Sequence, residues 1–116
     1  MSSKIKRISS TYDDILLTNS LATTHEISFT DEAAMVLFFP GTWTACNLTV
    51  YAKNPVNDTY YALKDDTGTA VTISSSVATA STALTMPDAI FPCNYVKLVT
   101  DNAANNAITV GAVSKG

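Results

Sequence analysis

The sequence predicts an all-β fold, an antiparallel β-sandwich of jelly-roll type built from about eight short strands. Three observations carry this. Short segments alternate apolar and polar residues, as in His25-Glu26-Ile27-Ser28-Phe29-Thr30 and Leu48-Thr49-Val50-Tyr51-Ala52, the period of a half-buried strand. Turn formers end them, among them Pro40-Gly41, Asn54-Pro55 and Asp65-Asp66-Thr67-Gly68. No stretch carries a convincing helical period, and Thr and Val, whose branched Cβ suits a pleated surface, are abundant.

The elements follow in order. Residues 1–20 are polar with isolated apolar clusters such as Ile15-Leu16-Leu17, and read as an N-terminal arm or an edge strand. The sandwich itself is expected over residues 21–113. In its first strand Ile27 and Phe29 share one face, and Asp31-Glu32 then marks a turn or a short helical bend. Ala34-Met35-Val36-Leu37-Phe38-Phe39 differs, because Met35, Leu37 and Phe39 point one way while the equally apolar Val36 and Phe38 point the other. Such a strand is either central to the fold or covered on its second face by another subunit. Pro40-Gly41 ends it. Leu48, Val50 and Ala52 then form one face, and Thr49, Tyr51 and Lys53 the other.

Tyr60-Tyr61-Ala62-Leu63-Lys64, the Asp65-Asp66-Thr67-Gly68 turn and residues 69–74 read as a hairpin with Val71 and Ile73 facing in. Residues 74–85 are small and polar, a long loop with a weak edge strand around Thr82 to Met86. Pro87-Asp88-Ala89 makes a turn or one helical turn. Val96 and Leu98 face in, with Tyr95, Lys97 and Val99 opposite. After an Asn-rich turn, Ile108 and Val110 belong to the last strand, and residues 114–116 are expected to be a flexible tail.

The chain has 116 residues, ordinary for one domain. Its 7 basic and 10 acidic residues give a net charge of −3, which argues against nucleic-acid binding. Charged residues make up 15% of the chain, against about a quarter in an average soluble domain. The one basic cluster, Lys4, Lys6 and Arg7, reads either as a solvated tail or as an arm reaching an acidic patch on a partner. The longest apolar run falls short of the ~20 residues that span a membrane. The first residues lack the apolar core of a secretory signal, so Cys46 and Cys93 are expected in a reducing cytosol as free thiols. Their spacing matches no zinc motif.

Candidate chemistry is sparse. His25 is the single histidine, so a Ser–His–acid triad would have to use it, and no nucleophile elbow accompanies it. Asp13-Asp14 and Asp65-Asp66 are adjacent carboxylates, whereas glycosidases need two that face each other across a cleft. The second pair most simply makes a turn, with calcium as the sharper alternative. Trp43, Tyr51, Tyr60, Tyr61 and Tyr95 form either a sugar-stacking platform or a set of caps straddling core and surface. Asn47-Leu48-Thr49 and Asn57-Asp58-Thr59 match the glycosylation sequon, read as coincidence without a secretory signal. No catalytic residue, cofactor site or metal site is assigned.

Trp43-Thr44-Ala45-Cys46-Asn47-Leu48-Thr49, Tyr60-Tyr61 with Asp65-Asp66-Thr67-Gly68, Ala89-Ile90-Phe91, Tyr95-Val96-Lys97-Leu98 and Ala107-Ile108-Thr109-Val110 resemble small β-sandwich virion proteins of tailed bacteriophages. The pattern there is roughly W-T-A-A-x-L-T, an aromatic strand with an acidic-Gly turn, then L-F, Y-[IV]-K-L and T-[IL]-T-[LV]. Residues 25–113 carry the resemblance, and Cys46 stands where the pattern usually has Ala. The resemblance is closest to capsid cement or decoration proteins. It implies a non-enzymatic protein made in the host cytoplasm that sits on the outer capsid as a trimer, bound to the major capsid protein, with no nucleic-acid or membrane partner. On that expectation Lys4, Ile5, Lys6, Arg7 and Ile8 contact the capsid, and the strand bearing Met35, Leu37 and Phe39 is the subunit interface. The alternative is a carbohydrate-binding tail or receptor-binding module. A small sugar-active enzyme would instead need two carboxylates converging in a cleft.

Overall fold

In a computed structural model, residues 10–29, 34–90 and 92–115 are described. They form two antiparallel sheets packed face to face. Nine strand segments run in order: β1 (Ser10–Leu16), β2 (Glu26–Ser28), β3 (Ala34–Phe38), β4 (Leu48–Asn54), β5 (Thr59–Ala62), β6 (Thr72–Ile73), β7 (Ala83–Thr85), β8 (Tyr95–Thr100) and β9 (Thr109–Lys115). One sheet has the order β1-β9-β3-β7, and the other β2-β8-β4-β5 with β6 also on β4. Outside the β4-β5-β6 run, every connection crosses from one sheet to the other. This is the double Greek key of a jelly roll.

Eight ladder positions account for the nine segments. β5 and β6 both pair with β4, β5 along Tyr51 to Asn54 and β6 along Leu48 and Thr49. They are two pieces of one edge strand, interrupted where residues 63–71 loop out. The expected hairpin between them is therefore corrected in extent: the Asp65 turn forms, but its stem is short, the Lys64–Ala70 bridge flanked by the Asp65 N–H to Thr69 carbonyl and Val71 N–H to Leu63 carbonyl bonds. Asp65 organises this turn. Its Oδ1 accepts bonds from Thr67 N–H, Thr67 Oγ1 and Thr69 N–H, and Gly68 follows at φ 83°. That backbone conformation costs a non-glycine residue roughly 1–2 kcal/mol.

Between the sheets lies one apolar core. Leu17, Leu37, Leu48, Val50, Ile90, Val96, Leu98 and Val110 are fully buried, each contributing roughly 1.5–3 kcal/mol relative to exposure. The alternation expected for β4 and β8 holds, with Leu48, Val50, Val96 and Leu98 inside and Tyr51, Tyr95 and Lys97 outside. Trp43 is buried at the rim. It packs on Phe39 with ring centroids 4.9 Å apart, and its indole N–H donates to the Ala78 carbonyl at 3.2 Å.

Two terminal expectations are now decided or changed. The segment before residue 20 is an edge strand, β1, over the residues described, and Leu17 just after it enters the core. The last strand runs through Lys115 rather than ending at 113, because Ser114 lies opposite Thr11 and Met35 in the ladder and is buried. One end of the sandwich is stitched by amides. Asn105, fully buried, donates to the Thr44 carbonyl (2.8 Å) and accepts from the Thr44 N–H (2.9 Å). Asn47 pairs twice with Asp101 at 3.0 Å and accepts from Ser75 N–H.

Candidate interaction surfaces

In an antiparallel ladder, directly opposed side chains share a face. On the β1-β9-β3-β7 sheet, one outward row is Tyr12, Val113, Val36 and Thr85, and the next is Asp14, Gly111, Phe38 and Ala83. Tyr12 is 63% and Phe38 45% exposed, with Val36 and Val113 half-buried. Gly111 lets the Tyr12 ring approach closely: a Cβ at this position would lie 3.0 Å from the Tyr12 hydroxyl. The ring therefore lies down over the glycine, where its hydroxyl donates to Asp14 Oδ1 at 3.1 Å. The result is an apolar patch with one carboxylate at its margin.

Met35, Leu37 and Phe39 have the opposite parity. All three are buried in this chain's own core, at 6%, 0% and 3% exposure. They are already covered by the second sheet, so a subunit contact on β3 falls to Val36 and Phe38. Both faces of this strand are apolar, and composition alone does not say which one the fold consumes. Lys4, Ile5, Lys6, Arg7 and Ile8 lie outside the described residues.

The outer face of the other sheet is polar, and its lysines find partners within it. The Lys53 ammonium lies 4.7 Å from the Tyr95 ring centroid, and that of Lys97 4.9 Å from the Tyr60 centroid. Lys53 also faces Glu26 at 3.5 Å and Asp58 at 3.7 Å. Lys97 donates to the Leu21 carbonyl at 3.0 Å. Register explains the arrangement, since Lys97 stands opposite both Glu26 and Tyr51, and Lys53 opposite Tyr60. The Tyr60 hydroxyl is buried close to Glu26 yet lacks a hydrogen bond of good geometry. Burial first, and then the Glu26 charge, hold this phenol well above its ordinary range.

A sugar platform built on Trp43 does not survive this geometry, because Trp43 is buried. The faces of Tyr60 and Tyr95 carry lysines, and Tyr61 is the exposed member of the set at 53%. Cys46 and Cys93 are free thiols, and burial pushes both pKa values up.

His25 occupies the corner where β1 passes into β2. Its Nδ1 accepts a bond from Leu16 N–H at 3.1 Å, and its backbone N–H donates to Leu16 O at 2.9 Å. With Nδ1 engaged, the neutral ring carries its proton on Nε2. An open cleft of about 540 Å³ beside it is lined by Asp13, Asp14, Glu26 and Lys97, among others. Among the described residues no group of three or more His, Cys, Asp or Glu side chains is placed to hold a metal ion. Nor, among them, is any helix long and apolar enough to cross a membrane. No family model, curated protein or solved structure matches the chain.

Proposed function

We propose that this chain is a non-enzymatic structural protein of a tailed-bacteriophage virion, which binds the outer capsid surface as a trimer and stabilises the shell. The observation that carries the reading is the apolar outer face of the β1-β9-β3-β7 sheet, centred on Tyr12, Val36, Phe38 and Val113. It lies on a sandwich whose other face satisfies its own charges. Jelly rolls recur among capsid proteins and also among lectins, so the fold alone does not choose between them. The resemblance across residues 25–113 favours the virion role, and the burial of Trp43 weakens the carbohydrate-binding alternative.

A size estimate indicates how such a surface acts. Four strands spaced ~4.8 Å apart and at most seven residues long cover on the order of 400 Å². Two copies meeting there bury about 800 Å², below the ~1,200 Å² of a stable specific interface. One contact of this kind is weak. A trimer that touches several capsid subunits at once makes the later contacts intramolecular, and avidity supplies the rest. Shell stabilisation then follows by mass action, because a ligand bound only to the intact shell opposes its rupture.

The test is co-sedimentation of the purified protein with empty capsids, read beside their thermal disruption temperature and the protein's own mass by light scattering. Binding that raises the disruption temperature, with a trimeric mass, is the expected result. A monomer at micromolar concentration overturns the trimer. Absence of capsid binding together with measurable glycan binding overturns the assignment in favour of the receptor-binding reading.

A further inference from the structure

We propose that His25 is a proton-operated latch on the seam between the two sheets. When neutral it clasps the end of β1 to the start of β2; when protonated it releases Leu16 and turns to the carboxylates beside it. This inference is independent of the virion reading, because it rests on the geometry of one corner.

Leu16 ends β1 and Glu26 begins β2, and the two strands belong to different sheets. The chain between them is held as a compact corner. Leu16 O accepts from the His25 backbone N–H at 2.9 Å, while the Thr24 hydroxyl donates to Leu98 O at 2.8 Å, with Leu16 O 3.3 Å away, and accepts from Thr18 N–H. Leu16 N–H is bound differently, because its acceptor is the His25 ring nitrogen itself. A backbone acceptor keeps its lone pair at any pH; an imidazole nitrogen does not. Protonation places a hydrogen on Nδ1, after which both ring nitrogens are donors. The Leu16 N–H then faces a donor and must turn to water.

The surroundings give the released cation a destination. Asp13 and Asp14 of β1, Glu26 of β2 and Lys97 of β8 line the cleft, with Asp14 also accepting from the Tyr12 hydroxyl. A ring released from Leu16 finds carboxylate oxygens there as acceptors for its N–H groups. The side chain is exposed, so the ring can turn without repacking the core. Loss of one such hydrogen bond corresponds to roughly a 10-fold increase in local opening. The inferred effect is a looser β1 edge in acid, with the sandwich beneath it intact.

Amide exchange at Leu16, corrected for the intrinsic pH dependence of exchange, tests this on the full chain by NMR, with the His25 ring shifts followed in the same samples. Protection at Leu16 is expected to fall roughly 10-fold along the His25 titration curve, while Val50 and Val96 in the core keep theirs. The neutral ring is expected to show the Nε2-protonated tautomer. His25→Asn, which keeps an acceptor oxygen but does not titrate, is expected to hold Leu16 protected across the same range. Unchanged Leu16 protection through the His25 titration overturns the latch. The same pH response in His25→Asn also overturns it, and transfers the effect to Asp13, Asp14 and Glu26.

Discussion

The two outer faces of the sandwich solve the same problem differently. Each sheet must present one side to its surroundings, and each has large side chains there. On the β2-β8-β4-β5 sheet the aromatic rings of Tyr60 and Tyr95 are covered by Lys97 and Lys53, whose charges meet Glu26, Asp58 and a backbone carbonyl. Such cation–π contacts contribute roughly 0.5–1 kcal/mol each at exposed sites. On the β1-β9-β3-β7 sheet no cation among the described residues covers Tyr12, Val36, Phe38 or Val113 in this way. Aromatic content is similar, but among the described residues the row of Tyr12, Val36, Phe38 and Val113 is the one that leaves its apolar area uncovered on a sheet face.

The largest expected effect tests which side of β3 belongs to the chain itself. Leu37→Ala removes a fully buried side chain and is expected to cost about 2–5 kcal/mol in urea unfolding. Its neighbour Phe38 points outward, and Phe38→Ser is expected to stay within about 0.5 kcal/mol of wild type. Equal costs at the two positions would break the assignment of parity. Next in size is association. Val36→Lys with Phe38→Lys sets like charges on the apolar face, and is expected to weaken trimer formation or capsid binding at least ~10-fold, the equivalent of about 1.4 kcal/mol. Thr72→Lys, exposed on the opposite sheet, is expected to leave both unchanged.

The ambiguity on β3 shows what a sequence carries and what it leaves open. Alternation made β2, β4 and β8 legible together with their inward residues, because Ile27, Val50 and Val96 each sit between polar or hydroxyl-bearing neighbours. On β3 every residue from Ala34 to Phe38 is apolar, so no alternation marks the inner side. The β5–β6 hairpin was misread for a related reason. Asp65 and Gly68 announce a local turn, and the turn exists, but nothing local states that both flanking segments pair with β4. Ser114 and Lys115 look like a tail because they are polar, while their place is fixed by ladder partners about 80 to 100 residues away in sequence. The lysine–tyrosine pairs and the His25–Leu16 clasp depend on the same non-local register. The paired residues were visible in the sequence, but their pairing was not.

Tyr60 is where the polar face is least well satisfied. Its hydroxyl is buried without a well-formed bond, and an unmet buried hydroxyl costs roughly 1–3 kcal/mol. Tyr60→Phe keeps the ring under Lys97 and is expected to stabilise the protein by about 1 kcal/mol, measured by thermal or urea unfolding at pH 7. The direction of its pKa gives a second readout. The phenol is held above its ordinary value, so the fold favours the neutral form. Its contribution is therefore complete below pH ~10, where the unfolded phenol titrates, and is lost as the pH climbs beyond it. Alkaline unfolding is expected to begin at higher pH in Tyr60→Phe than in wild type. If the variant is less stable at pH 7, the hydroxyl has a partner and the polar face is fully satisfied.

Salt gives the smallest effect on stability and a clean separation of the two faces. The Lys53 pairs with Glu26 and Asp58, at 3.5 and 3.7 Å, lie near the surface and are expected to be worth only about 0.2–0.5 kcal/mol each. Glu26→Gln should lower stability by that amount in dilute buffer, and the difference should vanish near 1 M NaCl, where the screening length is about 3 Å. The apolar face responds in the opposite sense, because sulfate is excluded from protein surface and strengthens the burial of apolar area. Raising sulfate is therefore expected to drive self-association of wild type while leaving Val36→Lys with Phe38→Lys monomeric. If sulfate assembles both proteins equally, the contact lies elsewhere, and Tyr12, Val36, Phe38 and Val113 are an exposed surface rather than an interface.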